Sequence, residues 1–277
     1  FWAFVIGLAV KTPMFPVHTW LPDAHTQAPT AGSLVLASVM LKMGTYGLAR
    51  LALPLLPAGG QDALVLGTVS VAAILYGGWI CLAQTDWKRL IAYSSVSHLG
   101  FCTLGIFSLN ATGLAGGLLQ QVNHGISTGL LFLLAGFAYE RRHTRAMSEY
   151  GGIAKVMPGY AALLLFAMLG SMGLPLLNGF VGEFTILRGA YEARLWWAAL
   201  AVVGIVLGAA YLLRLYRYTM LGPITKPENE RLQDLTWREW LLAAPLVVWS
   251  VWIGLRPSEH FALLEGPVAG ILERVKP

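Results

Sequence analysis

Runs of about 20 mostly apolar residues, each long enough to cross a bilayer as a helix, recur along nearly the whole of this chain and restrict its fold more than any other feature. The first covers Phe1 to about Leu21 and is interrupted. Others run from about Thr30 to Leu53, Leu64 to Ala83, Leu90 to Leu109 and Leu114 to Tyr139. A longer one, Pro158 to Ala190, is broken near Pro175, and two more cover Trp196 to Met220 and Trp240 to Leu255. Open strands cannot satisfy their backbone in lipid, so these segments are helices. The sequence is 56% apolar and only 12% charged, against about 45–50% and about 25% in soluble proteins. The reading is an all-α polytopic transmembrane helical bundle with two discontinuous helices, one transmembrane domain over 1–277, with the lipid bilayer as its solvent.

Loop charges test that map. If successive spans alternate, one set of loops holds DWKR, ERRHTRAMSEYGGIAK and RLYRYTMLGPITKPENERLQDLTWRE, and with them most of the Lys and Arg. The other set holds LPLLPAGGQD, SLNATG and the turn near Glu192 and Arg194, and is nearly free of positive charge apart from span-end residues such as Arg50. The Lys/Arg excess marks the cytoplasmic side, and PDAHTQAP falls there as a loop. Trp20, Trp87, Trp196, Trp197 and Trp240 fit interfacial belts. The net charge of +5 is spread over short loops; nucleic-acid binding needs a clustered basic face with stacking aromatics, so no nucleic-acid partner is expected. Cys81 and Cys102 lie in apolar runs without metal-ligand spacing and are expected as small core residues. The chain opens inside an apolar run without an initiator methionine, and is expected to be part of a longer protein, beginning partway into a helix.

Ionisable groups at bilayer depth cost about 2.5–3.5 kcal/mol or more, so each suggests function by default. Five stand out. Lys42 lies mid-span with Ser38, Thr45 and Tyr46 at helical spacing, a polar stripe on an apolar helix. Lys11 precedes Pro13 and Pro16, which break the helix ladder and free carbonyls toward a cavity. Desolvation disfavours a charged lysine, so a buried one can release its proton. Glu183 follows a second break in GLPLLNGFVGEFTIL, where a carboxyl group can load and release a proton. His98 follows Ser94 and Ser95 by one turn. His124 lies between Gln120 and Gln121 on one side and Ser127 and Thr128 on the other. Histidine titrates near neutrality and suits a relay. The plainer alternatives are a structural ion pair for the charged groups, a simple kink at Lys11, and satisfied core histidines. His18 and His25 suit a structural or proton-uptake role; His143 and His260 read as solvated. No zincin spacing, phosphate loop, nucleophile elbow or cofactor-attachment signal occurs in the sequence, so no metal, no cofactor and no bond chemistry are expected in this chain.

The strings VKTPMFPVHTWLPDAHTQAPTAGSLVLASVMLKMGTYGLAR, TDWKRLIAYSSVSHLGF, QVNHGIS and LPLLNGFVGEFTIL together resemble the antiporter-like membrane subunits of respiratory complex I, along nearly the whole chain and more weakly after Leu221. The resemblance implies an antiporter-like inverted-repeat fold of fourteen helices, of which this is the C-terminal portion. It would start in helix 7, with 1–53 ending the first repeat, 64–220 forming the second, and 221–277 a C-terminal helix and tail. It implies a proton path along Lys11, Lys42, His124 and Glu183, with His98 beside it, and a partner glutamate for Lys11 on a helix upstream of this chain. The glutamate at 183 points away from the distal subunit of the family. Function is then proton translocation in the bacterial inner membrane as part of NADH:quinone oxidoreductase. The partners are other membrane subunits of complex I; NADH, FMN, iron-sulfur clusters and quinone act in other subunits. A subunit of a multi-subunit cation/proton antiporter, an energy-converting hydrogenase, or a scaffold whose buried charges merely hold helices together are the alternatives.

Overall fold

The computed structural model describes residues 1–275, apart from the side chains of 57–59; the end of the expected tail, 276–277, lies outside the described residues. Every apolar run becomes helical, and both expected breaks occur. The first discontinuous helix consists of α1 (Trp2–Lys11) and α2 (Trp20–Gln27). In the gap Thr12 N–H returns to Leu8 O at 2.8 Å and Met14 N–H to Ala9 O at 2.9 Å. The Trp20 indole donates to Val10 O at 3.0 Å, so a side chain satisfies a carbonyl near the end of the helix.

The expected loop PDAHTQAP is instead largely helical. Pro22 and Asp23 lie in the first turn of α2, where a missing N–H costs nothing and a carboxylate meets the positive end of the helix. The helix stops at Gln27 because Pro29 forces Ala28 into extended backbone.

Helix α3 (Thr30–Leu55) carries two widened π turns, Leu36–Met40 and Leu48–Ala52, which bracket the segment Lys42–Gly47. Next come α4 (Ala63–Ala83), α5 (Trp87–Phe107) and α6 (Ala111–Arg142). Asp86 caps α5 by accepting from Arg89 N–H at 3.0 Å, and Asn110 caps α6 by accepting from Gly113 N–H at 2.7 Å.

The second discontinuous helix is α7 (Pro158–Ser171) and α8 (Asn178–Ala193). Gly173 turns the chain between them at φ +76, a left-handed backbone that favours glycine. Then follow α9 (Leu195–Thr219) and α10 (Trp237–Leu255), the latter opened by a reciprocal Thr236–Glu239 capping box.

The expected tail contains one more helix, α11 (Pro257–Val275). Its apolar residues are too interrupted by charge to read as a span. Leu264, Val268, Ile271 and Val275 form one stripe, which packs on Val5, Leu53, Leu66, Phe107 and Leu114.

Six of the helices, α3, α4, α5, α6, α9 and α10, are long and apolar enough to cross a membrane. Helix α6 is the axis of the bundle, packed against α3, α5, α7, α8, α10 and α11. Helices α5 and α6 are almost wholly buried, whereas α10 is largely exposed, so these two form the interior wall of the bundle.

The basic loops gather at one end of the bundle, as the charge map requires. Thr85 O accepts from Met147 N–H at 2.9 Å, and Ala154 N–H donates to Met220 O at 3.1 Å. Arg89 pairs with Asp23, and Lys88 Nζ donates to Ala28 O at 2.9 Å. Burial pushes the Tyr150 hydroxyl well above the usual phenol range; it donates to Thr144 O at 2.8 Å.

Candidate functional site

The polar residues at depth converge where α5, α6 and the α7–α8 break meet. His98 of α5 presents Nδ1 to Oε1 of Glu183 on α8 at 2.9 Å, and both side chains are under a tenth exposed. Gln120 of α6 donates to the same carboxylate oxygen at 3.2 Å. The His124 ring lies 5.6 Å from that of His98, centre to centre. Between them is a cavity of about 10 Å³, at the lower limit for one water molecule. Gln120, Asn123 and Ser127 of α6, with Gly170, Ser171 and Gly179 on either side of the break, complete its wall with the two histidines. His124 has no hydrogen-bond partner at either nitrogen among the described residues, although both atoms are buried, and the same holds for Thr128 Oγ1. Buried polar atoms are rarely left so.

Lys42 lies on the far side of His124. The π turn before it sends Leu41 N–H to Leu36 O instead of Ala37 O, and the Lys42 ammonium donates to the Ala37 carbonyl. Its Cε is 3.9 Å from the position a Cβ would take on Gly125, the residue after His124. The order through the bundle is therefore Lys42, His124, His98, Glu183. The expected stripe on α3 divides: Thr45 is buried, whereas Tyr46 turns outward, 56% exposed, because the π turns rotate the helix face. Ser38, Lys42, Tyr46 and Arg50 share an open, mainly apolar groove of about 890 Å³ with Gln121 and Trp249.

Lys11 ends α1, where a cation meets the negative pole of the helix. Its neighbour Thr12 packs directly against Gly44, two residues beyond Lys42. Lys11 forms no ion pair or hydrogen bond among the described residues, so it stands next to the row and is not joined to it. His18 is enclosed by Phe15, Tyr76 and Tyr93, and His25 stacks on Phe132 at 4.4 Å; both are buried beneath the basic end.

Several participants were not singled out in the sequence. Asn178, the first residue of α8, donates to Asn123 O at 3.0 Å and to Ser127 Oγ at 3.1 Å, and accepts from Ser250 of α10 at 2.6 Å. Asn123 returns a bond to Asn178 O at 2.8 Å and one to Gln120 Oε1 at 3.1 Å. This clasp fixes the start of α8, and hence Glu183 one turn further on, to α6 and α10. Tyr211 of α9 and Ser171 at the end of α7 reach His98 from its other side. Amides and hydroxyls are cheaper to bury than charges, so they stand out less in an apolar run; depth within the span is the signal that marks Asn178 and Tyr211.

A bundle of membrane-length helices with two broken ones, and a row of buried titratable side chains at the second break, defines a polytopic membrane protein of the antiporter-like class. The family model described as NADH:quinone oxidoreductase/Mrp antiporter, TM matches residues 1–208, and the chain belongs to that family. NADH-quinone oxidoreductase subunit M of Rickettsia bellii (strain RML369-C) is 48% identical over 272 residues, covering 98% of this chain and 55% of the relative. A chain in the structure of respiratory complex I from Thermus thermophilus with bound NADH superimposes with a TM-score of 0.93 at 36% identity, over 99% of this chain and 58% of that one. A chain of the Mrp complex from Dietzia sp. DQ12-45-1b shares the fold, with a TM-score of 0.88 at 21% identity, over 99% and 58% of the two chains. The chain spans about half the length of the curated relatives it matches.

Proposed function

We propose that this chain carries protons through the membrane as part of a subunit M-like component of an NADH-quinone oxidoreductase in the bacterial inner membrane. Lys11, Lys42, His124, His98 and Glu183 are its relay. The observation that carries this reading is the His98–Glu183 contact at 2.9 Å, buried at a helix break and next to an unpartnered His124. A carboxyl group and an imidazole at that distance can pass one proton between them without either moving. The path continues to Lys42, which can hold or release a proton, and toward Lys11 at the first break. The two breaks are read as equivalent points of two repeats, 1–53 ending the first and 64–220 forming the second. Oxidation of NADH and reduction of quinone, with FMN and iron-sulfur clusters, belong to other subunits; this chain supplies proton transfer and no bond chemistry. Its partners are the other membrane subunits of that complex and the bilayer.

Glu183→Gln in the full-length protein tests the reading. The amide keeps the hydrogen bonds but cannot load a proton. Assembly on a native gel should persist, while the NADH-driven proton gradient falls at least about tenfold, as loss of a group acting in proton transfer does. A gradient that survives in an assembled complex removes Glu183 from the path. The shared fold with an Mrp complex favours one second reading, cation/proton antiport; a gradient that requires Na⁺ would select it.

A further inference from the structure

His98 is held at both ring nitrogens. Nδ1 faces Glu183, while Nε2 lies 3.3 Å from the Tyr211 hydroxyl and 3.3 Å from Ser171 Oγ. Tyr211 is fully buried and Ser171 nearly so. They come from α9 and from the end of α7, so three elements besides α5 meet on one imidazole. The titratable groups facing His98 are Glu183 from α8, His124 from α6 and Tyr211 from α9, with Cys102 one turn along α5 and Lys42 of α3 behind His124.

The hydrogen-bond roles follow from the chemistry. An ionised carboxylate only accepts, so a neutral His98 beside it carries its proton on Nδ1. Nε2 is then a lone pair, and a hydroxyl must donate to it. A second proton arriving at Nε2 reverses that role: the hydroxyl has to turn and accept. A phenol is a stronger donor than acceptor, so Tyr211 favours the neutral ring.

We propose that Tyr211, with Ser171, is a positioning residue that holds His98 in its Nδ1–H tautomer and sets the pH at which the His98–Glu183 pair takes up its next proton. The proposal rests on the relay reading above, and its test separates the two.

Three variants of the full-length protein, Tyr211→Phe, Ser171→Ala and Glu183→Gln, would be made in the native complex. NADH-driven acidification of membrane vesicles, divided by the quinone-reduction rate, would be recorded against pH and scaled to each variant's own maximum. Tyr211→Phe should move the alkaline limb to higher pH by about half to one unit, the shift that one neutral hydrogen bond is worth. Ser171→Ala should move it the same way by less. A residue that only filled space would leave the limb in place. If Tyr211→Phe superimposes on the parent while Glu183→Gln abolishes acidification, the positioning role is wrong and the relay stands. If Glu183→Gln pumps normally, the relay and the positioning role fall together. If Tyr211→Phe does not assemble, Ser171→Ala decides: an unmoved limb overturns the proposal.

Discussion

At the scale of single residues, the relay reading separates charge from proton exchange at Lys42. Arginine keeps the charge and the length but does not give up its proton in proteins. If Lys42 passes protons, Lys42→Arg should assemble and yet lose most of the gradient. If it serves only as a buried cation bonded to Ala37 O, the variant should pump nearly as the parent does. Gly182 offers a second test, because it is not itself titratable. A Cβ there would stand 2.1 Å from Oε1 of Gln120 and 2.8 Å from Nδ2 of Asn123. Gly182→Ala must push Gln120 away from Glu183. Overpacking of this kind costs about 1–3 kcal/mol, read as a lower melting temperature of the solubilised complex, together with weaker pumping. An unchanged variant would mean that the Gln120 contact is idle. Much of this site was legible in the sequence because ionisable groups are conspicuous in lipid: Lys42, His98, His124 and Glu183 do fall in one row. Lys11 was legible as a residue at a break, but among the described residues it forms no ion pair or hydrogen bond, and only its neighbour Thr12 packs toward Lys42, against Gly44. Gln120 and Ser127 were legible as neighbours of His124, whereas Asn178 and Tyr211 were not, since they gain their meaning from helices far away in the chain.

Among the helices, the decisive joint is between α6 and α10. Arg141, at the end of α6, holds both oxygens of Glu239 at 2.6 and 2.8 Å and donates to Gln233 O at 2.8 Å and Asp234 O at 3.2 Å. Asp234 in turn accepts from Gly159 and Tyr160 N–H at 2.7 and 2.9 Å, and so caps α7 from across the loop. One guanidinium thereby ties α6, α7 and α10 together at the basic end. Both side chains of the pair are mostly buried, 15% and 12% exposed, so Arg141→Ala should cost about 3 kcal/mol by leaving a carboxylate unpaired. Faster trypsin cleavage in the 220–236 loop and a lower melting temperature would register it; pumping by the molecules that remain assembled should persist. A variant with unaltered protease resistance would show the clamp to be dispensable. Helix boundaries were legible from apolar length to within a few residues. The π turns of α3 were not, since LASVM and LARLA look like ordinary helix. Helix α11 was missed because its apolar stripe is spaced, and spaced stripes do not sum to a span.

For the molecule as a whole, the central place of α6 has a bearing on how the protein is made. Helix α6 is also the one whose middle carries Gln120, Gln121, Asn123, His124, Ser127 and Thr128. It is much less apolar than α9. Side chains of this kind penalise release of a nascent segment from the translocon into lipid, and α8, whose Asn178 and Glu183 later bond to Gln120, Asn123 and Ser127, has not yet been synthesised when α6 emerges. Helix α5, already complete, lends one wall. The segment is therefore expected to enter the bilayer poorly by itself and better as an α5–α6 hairpin. A glycosylation-reporter insertion assay would compare the two, and equal efficiency would refute the expectation. The polarity that lets α6 hold the buried polar row is thus a burden on its own insertion, so that assembly order, as much as the finished site, constrains which residues this helix can carry.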